Sequence, residues 1–196
     1  MDNISNKLFY KKSIQEFGVS AQGVHWNNKY TQYKRFEMIT KFIRKEITTS
    51  SIVDAGCGFA EYYNYLIKNN KKPKSYIGID CEKYMIDVSQ KKYPYLEFKL
   101  LDIINEDIPK ADYYIASGSL NILDLRNINV FITKCFNSSN KGVVFNFLKD
   151  ITFTDVTQDD IFNICKNLTQ NVTQNIQLKE NYLENDFTIF IKKGDS

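Results

Sequence analysis

Three aspartates close three apolar runs: Asp54 in SIVDAGCG, Asp80 in YIGID and Asp102 in LLDI. A carboxylate at such a point can accept from an ammonium, from a pair of sugar hydroxyls or from an exocyclic amine. Gly56 and Gly58 follow Asp54 at once. Lacking Cβ atoms, they let the chain turn sharply and come close to a ligand. A helix starting there offers free N–H groups to an anion or a carboxylate. Asp80 lies about 20 residues beyond the glycines, a spacing that suits a carboxylate on both ribose hydroxyls of a nucleoside. Asp102, with the Ile103 N–H beside it, can frame an adenine edge. Each acid alone also suits a helix N-cap or a turn. Acids at the ends of three successive runs point to one ligand crevice.

The elements that would hold these acids alternate along the chain. Residues 30–47 carry Phe36, Ile39, Ile43 and Ile47 at helical spacing. Residues 51–54 read as a strand, 59–69 as a helix, 75–80 as a strand, 82–92 as a helix and 95–102 as a strand. A fourth strand spans 111–117, a helix includes 128–136, and GVVFNFL (142–148) is a fifth strand with the continuous apolar character of a strand covered on both faces. A helix at 158–168 and two strands around a loop near 181–185 end the chain. This order predicts an α/β fold: a doubly wound, Rossmann-like sheet of seven strands, mostly parallel, with a C-terminal antiparallel hairpin and helices on both faces. In such a sheet a ligand binds outside the carboxyl ends of the strands, where strand order reverses.

Bulk composition narrows the class. The chain has 196 residues, 43% of them hydrophobic, enough for one domain with a full core. Net charge is only +3, with the Lys and Arg residues scattered, which argues against a dedicated nucleic-acid surface. The four cysteines (57, 81, 135 and 165) make no C-x-x-C pair, so neither a zinc site nor a redox dithiol is expected. No run approaches the ~18 apolar residues of a membrane span. A reducing cytoplasm is the natural setting.

VDAGCG (53–58), YIGID (76–80), LLDI (100–103) and YYIASGSLN (113–121), with the terminal hairpin, together resemble the class I S-adenosylmethionine-dependent methyltransferases of small-molecule type. The resemblance covers about residues 48 to 193. Ala60 stands where the family pattern has its third glycine. The resemblance implies S-adenosyl-L-methionine as cofactor and S-adenosyl-L-homocysteine as product, with no metal. By position it implies that Asp54, Ala55, Gly56 and Gly58 line the methionine part. Asp80 would take the ribose, and Cys81 and Met85 would pack near the adenine. Asp102 and Ile103 would meet the adenine edge. Ser117, Gly118 and Asn121 would lie beside the sulfonium and the acceptor, with Asn121 as a catalytic and substrate-binding candidate.

GVHWNNKYTQYKRFE (23–37) is similar to a stretch that some of these enzymes carry before the first strand. By that likeness residues 1–47 are an N-terminal lid and substrate segment, and 48–196 the methyltransferase core. Trp26, Gln32 and Arg35 then close over the cofactor. Arg35 would clamp the methionine carboxylate bidentately; its simpler role is a pair with an acid on its own helix. His25, the only histidine, is the candidate general base, although a lone histidine also serves structurally. Tyr10 and Tyr30 would shape the acceptor pocket, or only pack.

ASGSLN after the fourth strand is not the NPPY-like motif of amino-methylating nucleic-acid enzymes, so the expected acceptor is a small molecule, methylated at oxygen. A phosphorylated or phosphoramidate precursor of bacterial surface polysaccharide, or a secondary metabolite, would suit the mild basicity. RNA or protein methylation and a non-catalytic cofactor-binding module are the alternatives. A nicotinamide oxidoreductase would need G-x-G-x-x-G where this chain has GCGFAE. Monomer and homodimer both stay open.

Overall fold

The computed structural model describes residues 29–149, 155–170 and 172–194. Helix α1 (Lys29–Ile43) precedes β1 (Ser51–Ala55), α2 (Glu61–Lys68) and β2 (Ser75–Asp80). Then follow α3 (Lys83–Lys92), β3 (Glu97–Leu100), β4 (Ala111–Ala116) and α4 (Leu125–Ser138). Strand β5 (Ser139–Leu148), α5 (Gln158–Leu168), β6 (Ile176–Lys179) and β7 (Asp186–Lys192) complete the described elements. All seven strands form one sheet in the order 3-2-1-4-5-7-6. β1 to β5 are parallel, and β7 enters antiparallel between β5 and β6. The hairpin makes the β5 edge of the sheet, as expected: its second strand, β7, pairs with β5, and its first, short strand, β6, forms the rim.

Alternation of side chains builds two cores. Ile52, Tyr76, Tyr113, Ile115, Val144 and Phe190 face α1 and α2. Val53, Ala55, Tyr114, Val143, Phe145 and Ile189 face α4 and α5. Both faces of the central strands are thus covered, as a parallel sheet requires.

Element ends depart from the sequence expectation for local reasons. Helix α1 stops at Ile43, and Ile47 sits in a separate 3-10 turn (Ile47–Thr49) yet reaches the same core. Helix α2 begins only at Glu61, because Gly58 and Ala60 both have positive φ, which a right-handed helix does not accept. Strand β3 is four residues long: Leu96 is drawn into a turn by its N–H bond to the Tyr93 carbonyl, and Asp102 opens the next turn. Helix α4 starts three residues before Ile128, capped by Asp124, whose Oδ1 accepts from the Asn127 N–H at 2.8 Å. α5 matches its expected bounds and carries a capping box between Thr157 and Asp160.

Candidate active site

Strand order reverses between β1 and β4, so the crevice lies above their carboxyl ends. The β1–α2 turn forms one wall. Gly56 (φ +79°), Gly58 (φ +51°) and Ala60 (φ +55°) give it a repeated left-handed backbone. The N–H groups of Gly56 and Cys57 both bond the Ile79 carbonyl, pinning the turn to β2. The opposite wall is the loop after β4. Ser119 Oγ donates to the Ala55 carbonyl at 2.9 Å, and a Cβ on Gly56 would stand 2.4 Å from Ser119 Cβ. The first glycine is needed where these two walls touch.

Asp54 is buried at the end of β1, and its Oδ2 accepts from the Tyr76 hydroxyl at 2.5 Å. Burial lifts its carboxyl to about 7, against the opposing pull of the Tyr76 hydroxyl. Asp80 ends β2 and accepts from two backbone N–H groups, Gly58 on Oδ2 and Glu82 on Oδ1, each at 2.9 Å. Burial raises it to about 6 despite those bonds. An ionised carboxylate has about four lone-pair sites. Asp80 thus keeps acceptor capacity beyond its backbone bonds, which is the chemistry a pair of sugar hydroxyls needs. Asp102 organises the turn after β3: Oδ1 accepts from the Ile104 N–H at 2.9 Å and Oδ2 from the Asn105 amide at 2.8 Å. Ile103 is buried beside it. Cys81 is exposed just past the end of β2, whereas Met85 is on the buried face of α3.

Above β4 the expected residues are anchored in ways their types did not reveal. Ser117 Oγ donates to Asn146 Oδ1 at 2.8 Å. Asn146 Nδ2 donates to Thr188 Oγ1 at 2.8 Å, and Thr188 in turn meets the Tyr182 hydroxyl at 2.8 Å. Gly118 turns the loop with φ +82°. Asn121 Oδ1 accepts from the Leu148 N–H at 3.1 Å, tying the loop to the end of β5.

Arg35 forms a two-pronged bond with Asp186 on β7, Nε to Oδ1 at 2.5 Å and Nη2 to Oδ2 at 2.7 Å. The pair is largely buried, with side chains 11% and 4% exposed, so the fork expected to hold a ligand carboxylate holds one from the protein. Gln32 is buried in α1, while Tyr30 is exposed with Lys34 Nζ over its ring at 5.9 Å. His25, Trp26 and Tyr10 lie outside the described residues.

Sequence reading missed Tyr76, Ser119, Asn146, Tyr182, Asp186 and Thr188. Asn146 and Thr188 did carry a signal: each interrupts an apolar strand, GVVFNFL and DFTIFI, where a buried polar group needs a partner. Tyr76 carried none, since a strand tyrosine in a tyrosine-rich chain reads as packing.

A sheet in this order, with an interior antiparallel β7, a glycine turn after β1 and an acid closing β2, is the fold of the class I S-adenosylmethionine-dependent methyltransferases. Solved structures agree. The magnesium protoporphyrin IX methyltransferase of Synechocystis PCC 6803, seen with bound S-adenosylmethionine, superposes with a TM-score of 0.66 at 13% identity, over 95% of this chain and 84% of that one. A TehB-like methyltransferase of Corynebacterium glutamicum gives 0.66 at 15% identity, over 95% and 100%. The plantazolicin methyltransferase BpumL, solved with S-adenosylhomocysteine, gives 0.66 at 12%, over 98% and 92%. At such identities the likeness establishes the fold. In sequence, the chain is 40% identical over 63 residues to protein 235L of Invertebrate iridescent virus 6, provisionally named a methyltransferase. That segment is 32% of this chain and 23% of the viral protein, so the match spans under a quarter of the relative. No family model matches the chain. Among the described residues, no helix is long and apolar enough to cross a membrane.

Proposed function

We propose that this chain is an S-adenosylmethionine-dependent methyltransferase acting on a small molecule, at oxygen. The observation that carries the reading is the set of three acids, Asp54 near the end of β1, Asp80 at the end of β2 and Asp102 in the turn after β3, beside a glycine turn at the point where strand order reverses. The names of the matched relatives and the bound cofactors of two of them support the same reading.

Asp54 would accept from the cofactor ammonium, Asp80 would take the ribose hydroxyls, and Asp102 with the Ile103 N–H would frame the adenine edge. Ala55, Gly56 and Gly58 supply the backbone along the methionine part, and Cys81 and Met85 bound the adenine. Ser117 and Gly118 line the wall nearest the sulfonium, and Asn121 shapes the acceptor side by holding that loop on β5. The segment before β1 supplies the lid and substrate contacts through Tyr10, Trp26, Tyr30 and Gln32, while α1 from Phe36 to Ile43 stays packed on the sheet. When bound, the cofactor supplies a methyl group already activated by a positive sulfur. The protein's part is alignment, which contributes up to about 7–11 kcal/mol in well-oriented reactions. His25 removes the acceptor proton at an imidazole nitrogen when the acceptor is a hydroxyl. A phosphorylated or phosphoramidate surface-polysaccharide precursor, or a secondary metabolite, is the acceptor class this reading favours.

Calorimetric titration with S-adenosylmethionine, S-adenosylhomocysteine and NAD tests it. Micromolar binding of the first two and none of NAD is expected, followed by methyl transfer in a screen of hydroxyl, carboxyl and phosphoryl metabolites. Absence of cofactor binding would overturn the reading. Binding without turnover on small molecules, but with turnover on RNA or protein, would replace the acceptor class.

A further inference from the structure

Tyr76 stands at the start of the buried apolar part of β2; it opens the YIGID segment, in which the sequence assigned a role to Asp80 alone. In the parallel register it pairs with Ile52, so its side chain shares a face with Asp54, two residues further along β1. Its hydroxyl reaches that carboxylate at 2.5 Å. The ring is packed between Tyr63 (centroids 4.9 Å apart, 51°) and Phe98 (6.4 Å, 69°), and the residue is only 4% exposed. Tyr76 occupies Oδ2; among the described residues, Oδ1 of Asp54 has no hydrogen-bond partner.

We propose that Tyr76 is the positioning residue of the cofactor-ammonium site: its hydroxyl fixes the Asp54 carboxylate and favours the ionised form that a ligand ammonium needs. This rests on the methyltransferase reading above. The groups facing Asp54 are few. Asp80 at the end of β2 repels its charge, and Cys57 in the turn and Tyr62 on α2 feel the same field. The Tyr62 hydroxyl is itself engaged with Thr40 Oγ1 of α1 at 3.2 Å. Against burial and the Asp80 charge, the Tyr76 hydroxyl is the group on the described elements that favours the charged state of Asp54. Binding of a ligand with an ammonium group then draws a proton off the site whenever Asp54 starts protonated. With burial placing that carboxyl at about 7, the release falls in the neutral range.

The probe is S-adenosylhomocysteine, titrated calorimetrically from pH 5.5 to 8.5 in buffers of different ionisation enthalpy, so that affinity and protons released are read together. For the unaltered protein, affinity falls as pH drops below about 7, with proton release on the same limb. Tyr76→Phe keeps the ring and removes the donor. Its affinity limb moves to higher pH, by about one unit, which is about tenfold in affinity on the acid side. Asp54→Asn abolishes this limb and leaves only the one from Asp80. Installing 3-fluorotyrosine at position 76 strengthens the donor and moves the limb the other way, which keeps the test open should Tyr76→Phe not fold. A pH profile identical in the unaltered protein and the position-76 variants overturns the inference and leaves the methyltransferase reading standing. No binding by the unaltered protein at any pH overturns both.

Discussion

Gly56 is where a single missing atom decides the site. Its backbone has φ +79°, and an added Cβ would meet Ser119 Cβ at 2.4 Å and Oγ at 2.9 Å. Left-handed backbone costs a side-chain-bearing residue about 1–2 kcal/mol, and forced overpacking about 1–3 kcal/mol more. Gly56→Ala should therefore destabilise the fold by about 2–5 kcal/mol in urea titrations. It should also weaken S-adenosylhomocysteine binding at least about tenfold, because the displaced Ser119 loses its bond to the Ala55 carbonyl. A loss under about 0.5 kcal/mol would show that the two walls part easily. Ala60 makes the contrasting case. The third position of the pattern tolerates alanine sterically, as the sequence suggested, but the residue also adopts φ +55° while fully buried. Glycine there would relieve strain, yet would lose a buried methyl group and gain unfolded-state entropy, so the effects oppose one another.

Helix α1 is joined to the sheet by more than its apolar stripe. Arg35 on that helix and Asp186 at the start of β7 form an ion pair that is mostly out of solvent. Removing one partner of such a pair leaves an uncompensated charge, at a cost of about 3–5 kcal/mol. Arg35→Ala should show that loss in equilibrium unfolding, and the double variant Arg35→Met with Asp186→Leu should recover most of it. If Arg35→Ala instead leaves stability unchanged and weakens only cofactor binding, the arginine serves the ligand carboxylate and Asp186 merely holds it beforehand. The pairing could not be read from the chain, because Asp186 lies on the interior strand of a hairpin whose place in the sheet depends on the whole topology. Helix α5, by contrast, was legible to its ends: Thr157 and Asp160 cap it by local bonds alone.

Burying two acids at the crevice sets how the whole fold responds to pH. An aspartate in the unfolded chain titrates near ~3.9, whereas Asp54 in the folded protein titrates at about 7 and Asp80 at about 6. Between those values the folded state holds protons that the unfolded state has released, so stability falls as pH rises through the window. For Asp54 this is on the order of 4 kcal/mol. Lowered carboxyls such as Glu37, held down by Lys41 and Lys34, and Glu46, held down by Lys141, act oppositely: their contribution is lost in more acid solution. The ligand-free protein should thus melt at a higher temperature near pH 6 than at pH 8. Asp54→Asn should remove most of that difference, and a flat melting profile in the unaltered protein would contradict the burial of these charges. Stability is held back here by the groups best suited to bind a cation and sugar hydroxyls, as is common at functional sites.

The alternation of strands and helices, the glycine turn and the three strand-end acids were all legible in the chain, because each depends on short-range periodicity or on what one residue type permits at one turn. Tertiary structure alone decided which acid meets which donor. Tyr76 reaches Asp54 through the β1–β2 register, Asp80 receives the Gly58 N–H through the fold of the turn, and Arg35 finds Asp186 where α1 packs on β7. Such partners are set by strand order and register, which bring together residues far apart in the chain and leave no local trace in its sequence.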